Sequence, residues 1–320
     1  MLGFAHVKNH HADLYDLLTK PIFKAPIRYF VLACSGPSAQ HHQQVNTPSR
    51  ATEFDLRNGD CVEGMRTMEA SSVDVIVTSP PYNLDISYRS FEDSAGREEF
   101  LDWCDVWSDE VKRVMREDGS FFLNLGASPK NPFLPHELLL RLRRKFELQN
   151  TIHWIKSITV EQRDGGEISV GHFKPINSPR FLNDCHEYLF HLTKKGSTKI
   201  DRLSIGVPYS DKSNITRWEH TKGNDVRCRG NTWFIPYKTI QHRDSERPHP
   251  ATFPVELARR CLALHGKGGE TVVMDPFLGI GHAAMAAVEY GAKRCIGFEI
   301  DDEYLSIAQQ QIAEVQGMLF

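Results

Sequence analysis

The chain has 320 residues, of which 40% are hydrophobic and 25% are charged, close to the usage of ordinary globular proteins. This length fits one large α/β domain with an insertion, or two modest domains, and no run approaches the roughly 18 apolar residues that a membrane helix needs. A formal net charge of -3 argues against a uniformly basic nucleic-acid binder, so any basic surface must be local. Seven cysteines without a C-x-x-C pair predict an intracellular, reduced protein and support neither a disulfide framework nor a zinc knuckle.

Predicted strands and helices alternate along most of the chain. The predicted strands are residues 73–78, 120–125, 150–155, 187–193, 271–274 and 294–299. The predicted helices are residues 100–115, 137–146, 254–264, 282–289 and 304–315. This alternation predicts an α/β fold with a doubly wound, mostly parallel sheet.

Composition divides the chain into four segments. Residues 1–50 are rich in proline and polar side chains and are expected to be an N-terminal extension. Residues 51–156 and 244–320 carry most of the periodic pattern and would form the two halves of one α/β domain. Residues 157–243 are rich in Gly, Ser and Asn and would be an insertion.

A glycine-bearing loop lies between two predicted strands near the C-terminus. The first strand leads into Asp275, Gly279 and Gly281 fall in the loop, and the second strand ends at Glu299. Glycines let a ligand approach the backbone at a helix N-terminus, and an acid at the end of the second strand suits hydrogen bonds to ribose hydroxyls. The pattern predicts a nucleoside-binding βαβ unit, although a glycine turn alone is often only a tight connection. The sequence lacks a third glycine at dinucleotide spacing and a Walker motif, which argues against NAD and nucleoside triphosphates.

Residues 78–83 (TSPPYN) follow a β-branched run that is typical of a strand buried on both faces. The two prolines have no N–H groups and fix φ, so the carbonyl of Pro80 is a rigid acceptor. Ser79 adds a hydroxyl and Tyr82 an aromatic face. An amino group on a planar base could donate one hydrogen to Ser79 and one to Pro80, which would direct its lone pair at an electrophile. The alternative is a Pro-Pro turn that only caps the strand, but the carboxyl end of a parallel strand favours a ligand site.

Five motifs follow one another in a distinctive order. They are NGDC at 58–61, TSPPYN at 78–83, HPATFP at 249–254, DPFLGIG at 275–281 and GFE at 297–299. In this order they resemble the permuted amino-methyltransferases of DNA, the β class, whose catalytic motif precedes the target-recognition region and whose S-adenosylmethionine motifs come last. The resemblance implies a Rossmann-like, S-adenosylmethionine-dependent methyltransferase fold. Residues 51–156 would be its catalytic half, 157–243 its target-recognition insertion and 244–320 its cofactor half.

The resemblance also implies roles for individual residues. Asp275 and its loop would wrap the methionine part of S-adenosylmethionine, Glu299 would hold the ribose, and Asp60 would lie near the adenine amino group. The catalytic residues would be Ser79, Pro80, Pro81 and Tyr82. The residues expected to bind the cofactor are Asp60, Thr78, His249, Ala251, Thr252, Phe253, Asp275, Pro276, Phe277, Gly279, Gly281 and Glu299, and no metal is expected.

The loop departs from the family pattern at two positions. Where the family is similar to D-P-F-x-G-S-G-T, this chain has Ile280 and His282 in place of Ser and Thr, which puts two hydroxyl contacts to the cofactor carboxylate in doubt. The amino group attacks the methyl directly, so positioning and hydrogen bonds suffice and no covalent nucleophile is needed. The Pro-Cys dipeptide that a C5-cytosine enzyme requires is absent from the sequence, which excludes that class. A base in duplex DNA must flip out to react, and Tyr82 is the natural platform for it.

Positive charge is concentrated in the predicted insertion. From Lys156 to Arg243 there are fifteen Lys or Arg and nine Asp or Glu, an excess of six in a chain that is net negative. Cations suit phosphates, and Arg and Asn suit base edges, although each of these residues could equally belong to a solvated loop. The predicted DNA-binding residues are Lys156, Arg217, Lys222, Arg227 and Arg229.

The residue before Pro-Pro-Tyr bears on the choice of base. Within the resembling families, Ser leans towards N4 of cytosine and Asp towards N6 of adenine. The sequence therefore predicts a cytosine-N4 methyltransferase of double-stranded DNA, with an adenine-N6 enzyme as the alternative. An RNA methyltransferase and a catalytically silent DNA-binding module are lesser alternatives. We expect the protein to lie with the nucleoid in a bacterial cytoplasm, or in a eukaryotic nucleus, and to have no membrane partner. The sequence allows a homodimer without predicting one.

Overall fold

The structure is a computed structural model of the chain. It describes residues 51–83, 89–90, 93–161, 166–171, 178–236 and 252–319. The predicted extension, residues 1–50, lies outside the described residues. Within them, Pro208–Asp225 belong to one compact unit, and the rest, including the main sheet, belong to a second.

Ten strands and seven α-helices lie in the described residues. The strands are β1 (Glu53–Asn58), β2 (Val73–Thr78), β3 (Met115–Leu125), β4 (Glu147–Ile155), β5 (Ser157–Glu161), β6 (Glu167–Gly171), β7 (His186–Thr193), β8 (Thr232–Phe234), β9 (Val272–Asp275) and β10 (Arg294–Glu299). The helices are α1 (Cys61–Arg66), α2 (Arg97–Val114), α3 (Leu134–Leu142), α4 (Ser213–Arg217), α5 (Val255–His265), α6 (His282–Tyr290) and α7 (Asp302–Leu319). Single turns of 3₁₀ helix occur at Glu219–Thr221 and Gly268–Glu270.

Eight of the strands form one mixed sheet in the order β1-β10-β9-β2-β3-β7-β4-β8. The pairs from β1 to β3 are all parallel, as is the pair of β4 with β8. Only β7 runs antiparallel to its neighbours, β3 and β4, among the described strands of this sheet. β5 and β6 form a separate antiparallel pair. The predicted α/β fold with a doubly wound, mostly parallel sheet is therefore confirmed.

The two faces of the sheet pack into two hydrophobic cores. Successive side chains of a strand point to opposite faces, so Val75 and Val77 pack against α5, α6 and α7, whereas Ile76 packs against α1, α2 and α3. All six residues of β2 are buried, as expected of a central strand that is covered on both faces. The helix after β2 and the helix after β9 thus lie on opposite faces. At such a switch point a crevice opens outside the carboxyl ends of the two strands.

Several elements differ from the predicted ones, among them α3, β3, β7 and β8. α3 begins at Leu134, three residues earlier than predicted, with a proline in its first turn, where a missing N–H costs nothing. β3 already begins at Met115, because its ladder with β2 is interrupted by a bulge that absorbs residues 116–119. β7 and β8 lie within the predicted insertion and nevertheless join the main sheet. The described helices include none long and apolar enough to cross a membrane.

Candidate active site

The loops after β2 and β9 are held together at the carboxyl edge of the sheet. The two strands are parallel neighbours, so their ends lie side by side. The Thr78 hydroxyl donates to Asp275 Oδ1 at 2.6 Å, and the Phe277 N–H donates to the same oxygen at 3.0 Å. Thr78 and Asp275 are both buried and neither lines the adjoining cavity. The pair therefore fixes the TSPPYN segment against the glycine-bearing loop.

One cavity adjoins both loops. It is lined by all four predicted catalytic residues and by seven of the predicted cofactor residues, namely Asp60, Thr252, Phe253, Pro276, Phe277, Gly279 and Glu299. Two further cofactor predictions, His249 and Ala251, lie outside the described residues. Gly281 adopts φ 88° as the N-cap of α6, and a Cβ there would come within 3.0 Å of the Ala308 Cβ. Gly281 thus serves the close packing of the loop and is not a cavity-lining residue.

Two acidic side chains in or next to the cavity wall have raised pKa values. Burial raises the pKa of Asp275 to about 7, and burial also raises the pKa of Glu299. Glu299 ends β10, where its Oε2 accepts the Gly279 N–H at 2.8 Å and its Oε1 accepts the Asp301 N–H at 3.0 Å. A positively charged ligand in the cavity would favour the ionised forms of both groups.

Asp60 lines the cavity from the far side of β10. It is the N-cap of α1, and its Oδ1 accepts the N–H groups of Val62 at 2.8 Å and Glu63 at 3.0 Å. A capping residue of this kind typically stabilises a helix by about 1 kcal/mol. The cap also holds the carboxylate in one orientation at the rim of the cavity.

Aromatic rings form one wall of the cavity. Phe277 lies with its ring centroid 5.5 Å from those of Trp103 and Trp107 on α2. Such pairs add about 0.5 to 1.5 kcal/mol each beyond their buried area. Trp103 lines the cavity and was not predicted as a site residue. Its sequence signal is indistinct, because a tryptophan on an amphipathic helix is normally a core residue.

His282, one of the two departures from the family pattern, joins two parts of the cavity wall. It is the first residue of α6, and its Nδ1 lies 2.5 Å from the Phe253 carbonyl oxygen. Because a carbonyl only accepts, Nδ1 carries the hydrogen of this bond. The side chain that replaces the family's Thr therefore ties the glycine-bearing loop to the segment at Thr252 and Phe253.

The catalytic motif leads into a hydrogen-bond network behind the cavity. The hydroxyl oxygens of Ser79 and Tyr82 are 2.5 Å apart. The Tyr82 hydroxyl oxygen lies 3.1 Å from the backbone carbonyl oxygen of Asn124, and it accepts from the side-chain Nδ2 of Asn124 at 2.8 Å. Asn124 Nδ2 also donates to Glu187 Oε2 at 2.6 Å. The predictions omitted Asn124 and Glu187; their only signal is a polar residue beside or within an apolar strand.

The predicted DNA-binding residues differ in their surroundings. Lys156 is largely buried and forms an ion pair with Glu187 at 3.0 Å. Arg229 Nε donates to the Ile205 carbonyl at 2.8 Å, and burial lowers the pKa of its guanidinium. Arg217, Lys222 and Arg227 are exposed, the first two within Pro208–Asp225. No group of three or more His, Cys, Asp or Glu in the described ranges is placed to hold a metal ion.

Residues 73–310 match the N6/N4 family model described as DNA methylase, and this range covers most of the chain. The chain belongs to the DNA methylase family. The resemblance inferred from the five motifs is thereby confirmed, and this protein is a DNA methyltransferase of the N4/N6 class.

Individual relatives of this DNA methylase differ in the base they are named for. The DNA adenine methyltransferase YhdJ of Escherichia coli (strain K12) is 25% identical over 266 residues, covering 80% of this chain and 81% of the relative. The structure of PvuII DNA methyltransferase (cytosine-N4-specific) is similar with a TM-score of 0.58 at 17% identity, covering 85% of this chain and 94% of that one. Several other relatives are named type II methyltransferases.

A third comparison concerns the cofactor. The putative DNA modification methylase TTHA0409 of Thermus thermophilus, solved in complex with S-adenosylmethionine, is similar with a TM-score of 0.54 at 24% identity. The match covers 82% of this chain and 94% of that one. At these identities both structures support the Rossmann-like fold of this DNA methylase.

Proposed function

We propose that this DNA methylase transfers a methyl group from S-adenosylmethionine to the exocyclic N4 of a cytosine flipped out of double-stranded DNA. The observation that carries the proposal is the position of Ser79. Its hydroxyl is fixed 2.5 Å from the Tyr82 hydroxyl, at the rim of the cavity that Asp60 and Glu299 also line. A neutral acceptor for an amino group therefore lines the same cavity as acidic groups suited to a cationic cofactor.

The acidic side chains and the aromatic wall fit S-adenosylmethionine. Asp275 is buried and Glu299 is half-buried, and both have raised pKa values. A nearby sulfonium or ammonium charge would favour their ionised forms. Glu299 suits hydrogen bonds to ribose hydroxyls, and Asp60 suits an adenine amino group. When bound, S-adenosylmethionine supplies an electrophilic methyl group. The complex of TTHA0409 with S-adenosylmethionine supports the same cofactor for this chain.

Ser79, Pro80 and Tyr82 would act on the base. Ser79 Oγ and the Pro80 carbonyl accept the two hydrogens of the amino group, which turns its lone pair out of conjugation and towards the methyl group. Tyr82 presents its ring to the flipped base. Positioning and hydrogen bonds of this kind can supply the catalysis without a covalent intermediate.

Cytosine is proposed as the base because the residue before Pro-Pro-Tyr is Ser. A short, uncharged hydroxyl suits the amino group on the single ring of cytosine. The cytosine-N4 enzyme PvuII among the similar structures supports this choice. Adenine N6 is the second candidate, and the relative YhdJ, named a DNA adenine methyltransferase, favours it.

Identification of the methylated nucleoside tests the proposal. Unmethylated genomic DNA offers every short sequence, so it serves as substrate although the recognition sequence is not specified. After incubation with the enzyme and S-adenosylmethionine, the DNA is digested to nucleosides and compared by mass with N4-methylcytosine and N6-methyladenine standards. N4-methylcytosine, absent with the Ser79→Ala variant, is expected. If N6-methyladenine were the only product, the target base would be adenine and not cytosine, and the proposed attack by an amino group would still hold.

A further inference from the structure

An acidic side chain outside the predicted active site lies directly behind the catalytic motif. Glu187, the second residue of β7, has a side chain that is only 12% exposed. Its Oε2 accepts from Asn124 Nδ2 at 2.6 Å and lies 3.4 Å from the Tyr82 hydroxyl oxygen. Its Oε1 accepts from the Lys156 ammonium group at 3.0 Å. Residues that follow or belong to β2, β3 and β4 thus converge on one carboxylate.

A glycine makes this convergence possible. A Cβ at Gly126 would lie 3.0 Å from the Tyr82 ring and 3.4 Å from the carboxyl carbon of Glu187. A larger residue at this position would push the two side chains apart. Because Gly126 has no side chain, the Tyr82 ring and the Glu187 carboxylate can lie side by side.

The hydrogen-bonding partners of Tyr82 determine which groups donate and which accept in this network. An ionised carboxylate and a backbone carbonyl accept hydrogen bonds and cannot donate. The single hydrogen of the Tyr82 hydroxyl is drawn to acceptors of this kind, at Glu187 and at the Asn124 carbonyl. In the 2.5 Å contact between Ser79 and Tyr82, Ser79 is then the donor. Its oxygen is left to accept an N–H from the cavity side.

We propose that Glu187 is a positioning residue of the methyl-transfer site, which acts through Tyr82 to make Ser79 an acceptor for the amino group of the base. Lys156 is the counter-ion of Glu187 and not a contact to DNA phosphate. The inference rests on the proposed role of Ser79.

Glu187→Gln tests the direction of the network. The amide is nearly isosteric but presents an NH₂ group, which can donate towards Tyr82 and reverse the hydrogen bonds. We expect turnover at saturating DNA and S-adenosylmethionine to fall about tenfold or more, with the Kd for S-adenosylmethionine within about twofold of wild type. Glu147→Gln is the matched control, because Glu147 pairs with Thr193 at the other end of β7 and is expected to leave turnover unchanged.

A double-mutant cycle separates positioning from a merely structural role. In a Ser79→Ala background, measured by single turnover with labelled methyl donor, Glu187→Gln should lower the rate by no more than about twofold, because the two residues act in one chain. A second tenfold loss there would overturn the inference. The inference would also be overturned if Glu187→Gln kept wild-type turnover while Ser79→Ala was impaired. That result would leave the proposed function intact. Wild-type turnover of Ser79→Ala would instead overturn the proposed function.

Lys156→Met tests the counter-ion. We expect turnover to fall while the log–log salt dependence of DNA affinity stays that of wild type. A salt slope reduced by about one would assign Lys156 to a phosphate and overturn this part of the inference.

Discussion

Asp74 and Asp275 are buried carboxylates at opposite ends of two neighbouring strands, and the fold surrounds them differently. Asp74, in β2, has its Oδ1 3.2 Å from the Lys267 ammonium group and accepts the Val272 N–H at 3.0 Å. Asp275, at the end of β9, accepts from a hydroxyl and an N–H, and no ion pair within the described residues reaches it. The amino end of the sheet therefore supplies a cation to its buried acid. At the carboxyl end the described residues place no such cation beside the buried acid, and burial raises the pKa of Asp275 to about 7.

The largest difference between the two ends should appear in cofactor affinity. Asp275→Ala removes the buried acceptor that holds Thr78 and the Phe277 N–H together beside the cavity. Because this misplaces both loops, affinity for S-adenosylmethionine should fall about tenfold or more, which corresponds to about 1.4 kcal/mol or more. Asp74→Ala should lower the free energy of unfolding and leave that affinity unchanged. Calorimetry on both folded variants measures the contrast. Equal affinities in the two variants would contradict the site assignment.

A smaller effect should appear in the pH dependence of stability. At the amino end, the rings of His191 and His265 both bond Ser120 Oγ, and burial lowers their pKa values to about 3 and about 4. Unfolded histidines take up protons near pH 6.5 whereas these stay neutral, so their contribution to stability is complete above that pH and is lost as the pH falls towards 4. Asp275 acts with the opposite sign over this range, because its pKa is raised.

His191→Gln isolates the contribution of the histidines. Relative to wild type, the variant should lose less of its free energy of unfolding between pH 6 and pH 4, by up to about 1.4 kcal/mol per pH unit. Urea unfolding at several pH values in this range measures the difference. Parallel curves for the two proteins would show that His191 is not buried in its neutral form.

The smallest effect is expected in the salt dependence of DNA binding. Lys222→Glu with Arg227→Glu reverses two exposed charges of the predicted insertion and should reduce the log–log slope by about two. The control is Lys293→Glu, an exposed lysine outside the predicted insertion that pairs with Glu270. If Lys293→Glu changed the slope as much, DNA would not be bound through the predicted insertion.

The carboxyl edge of the sheet was predictable where local patterns decide the structure. The run at Val73–Thr78 is apolar enough to predict a strand covered on both faces, and all six of its residues are buried. The loop from Asp275 to Gly281 likewise lies between a strand and a helix, as its glycines predict. The TSPPYN segment and the glycine-bearing loop lie side by side because parallel neighbouring strands end at the same edge of the sheet.

The parts of the fold and of the site that the sequence did not predict depend on pairings between residues that are distant in the sequence. Glu187 reaches the catalytic motif because β7 inserts antiparallel between β3 and β4, which no local pattern indicates. Lys156 was predicted as a DNA contact because its charge is visible in the sequence, whereas its partner at 3.0 Å is not. β8 has only three residues, too few for a periodic signal.

Two serines, one just after β2 and one in β3, provide the most direct test of the central claim, that methyl transfer takes place at the carboxyl edge of this sheet. Ser79 follows β2 at that edge, and Ser120 is buried near the opposite end, between His191 and His265. Transfer of labelled methyl groups from S-adenosylmethionine to DNA is measured for Ser79→Ala and Ser120→Ala at a temperature where both are folded. We expect turnover to fall about tenfold or more in Ser79→Ala and to stay within about twofold of wild type in Ser120→Ala. Wild-type turnover in Ser79→Ala would contradict the account.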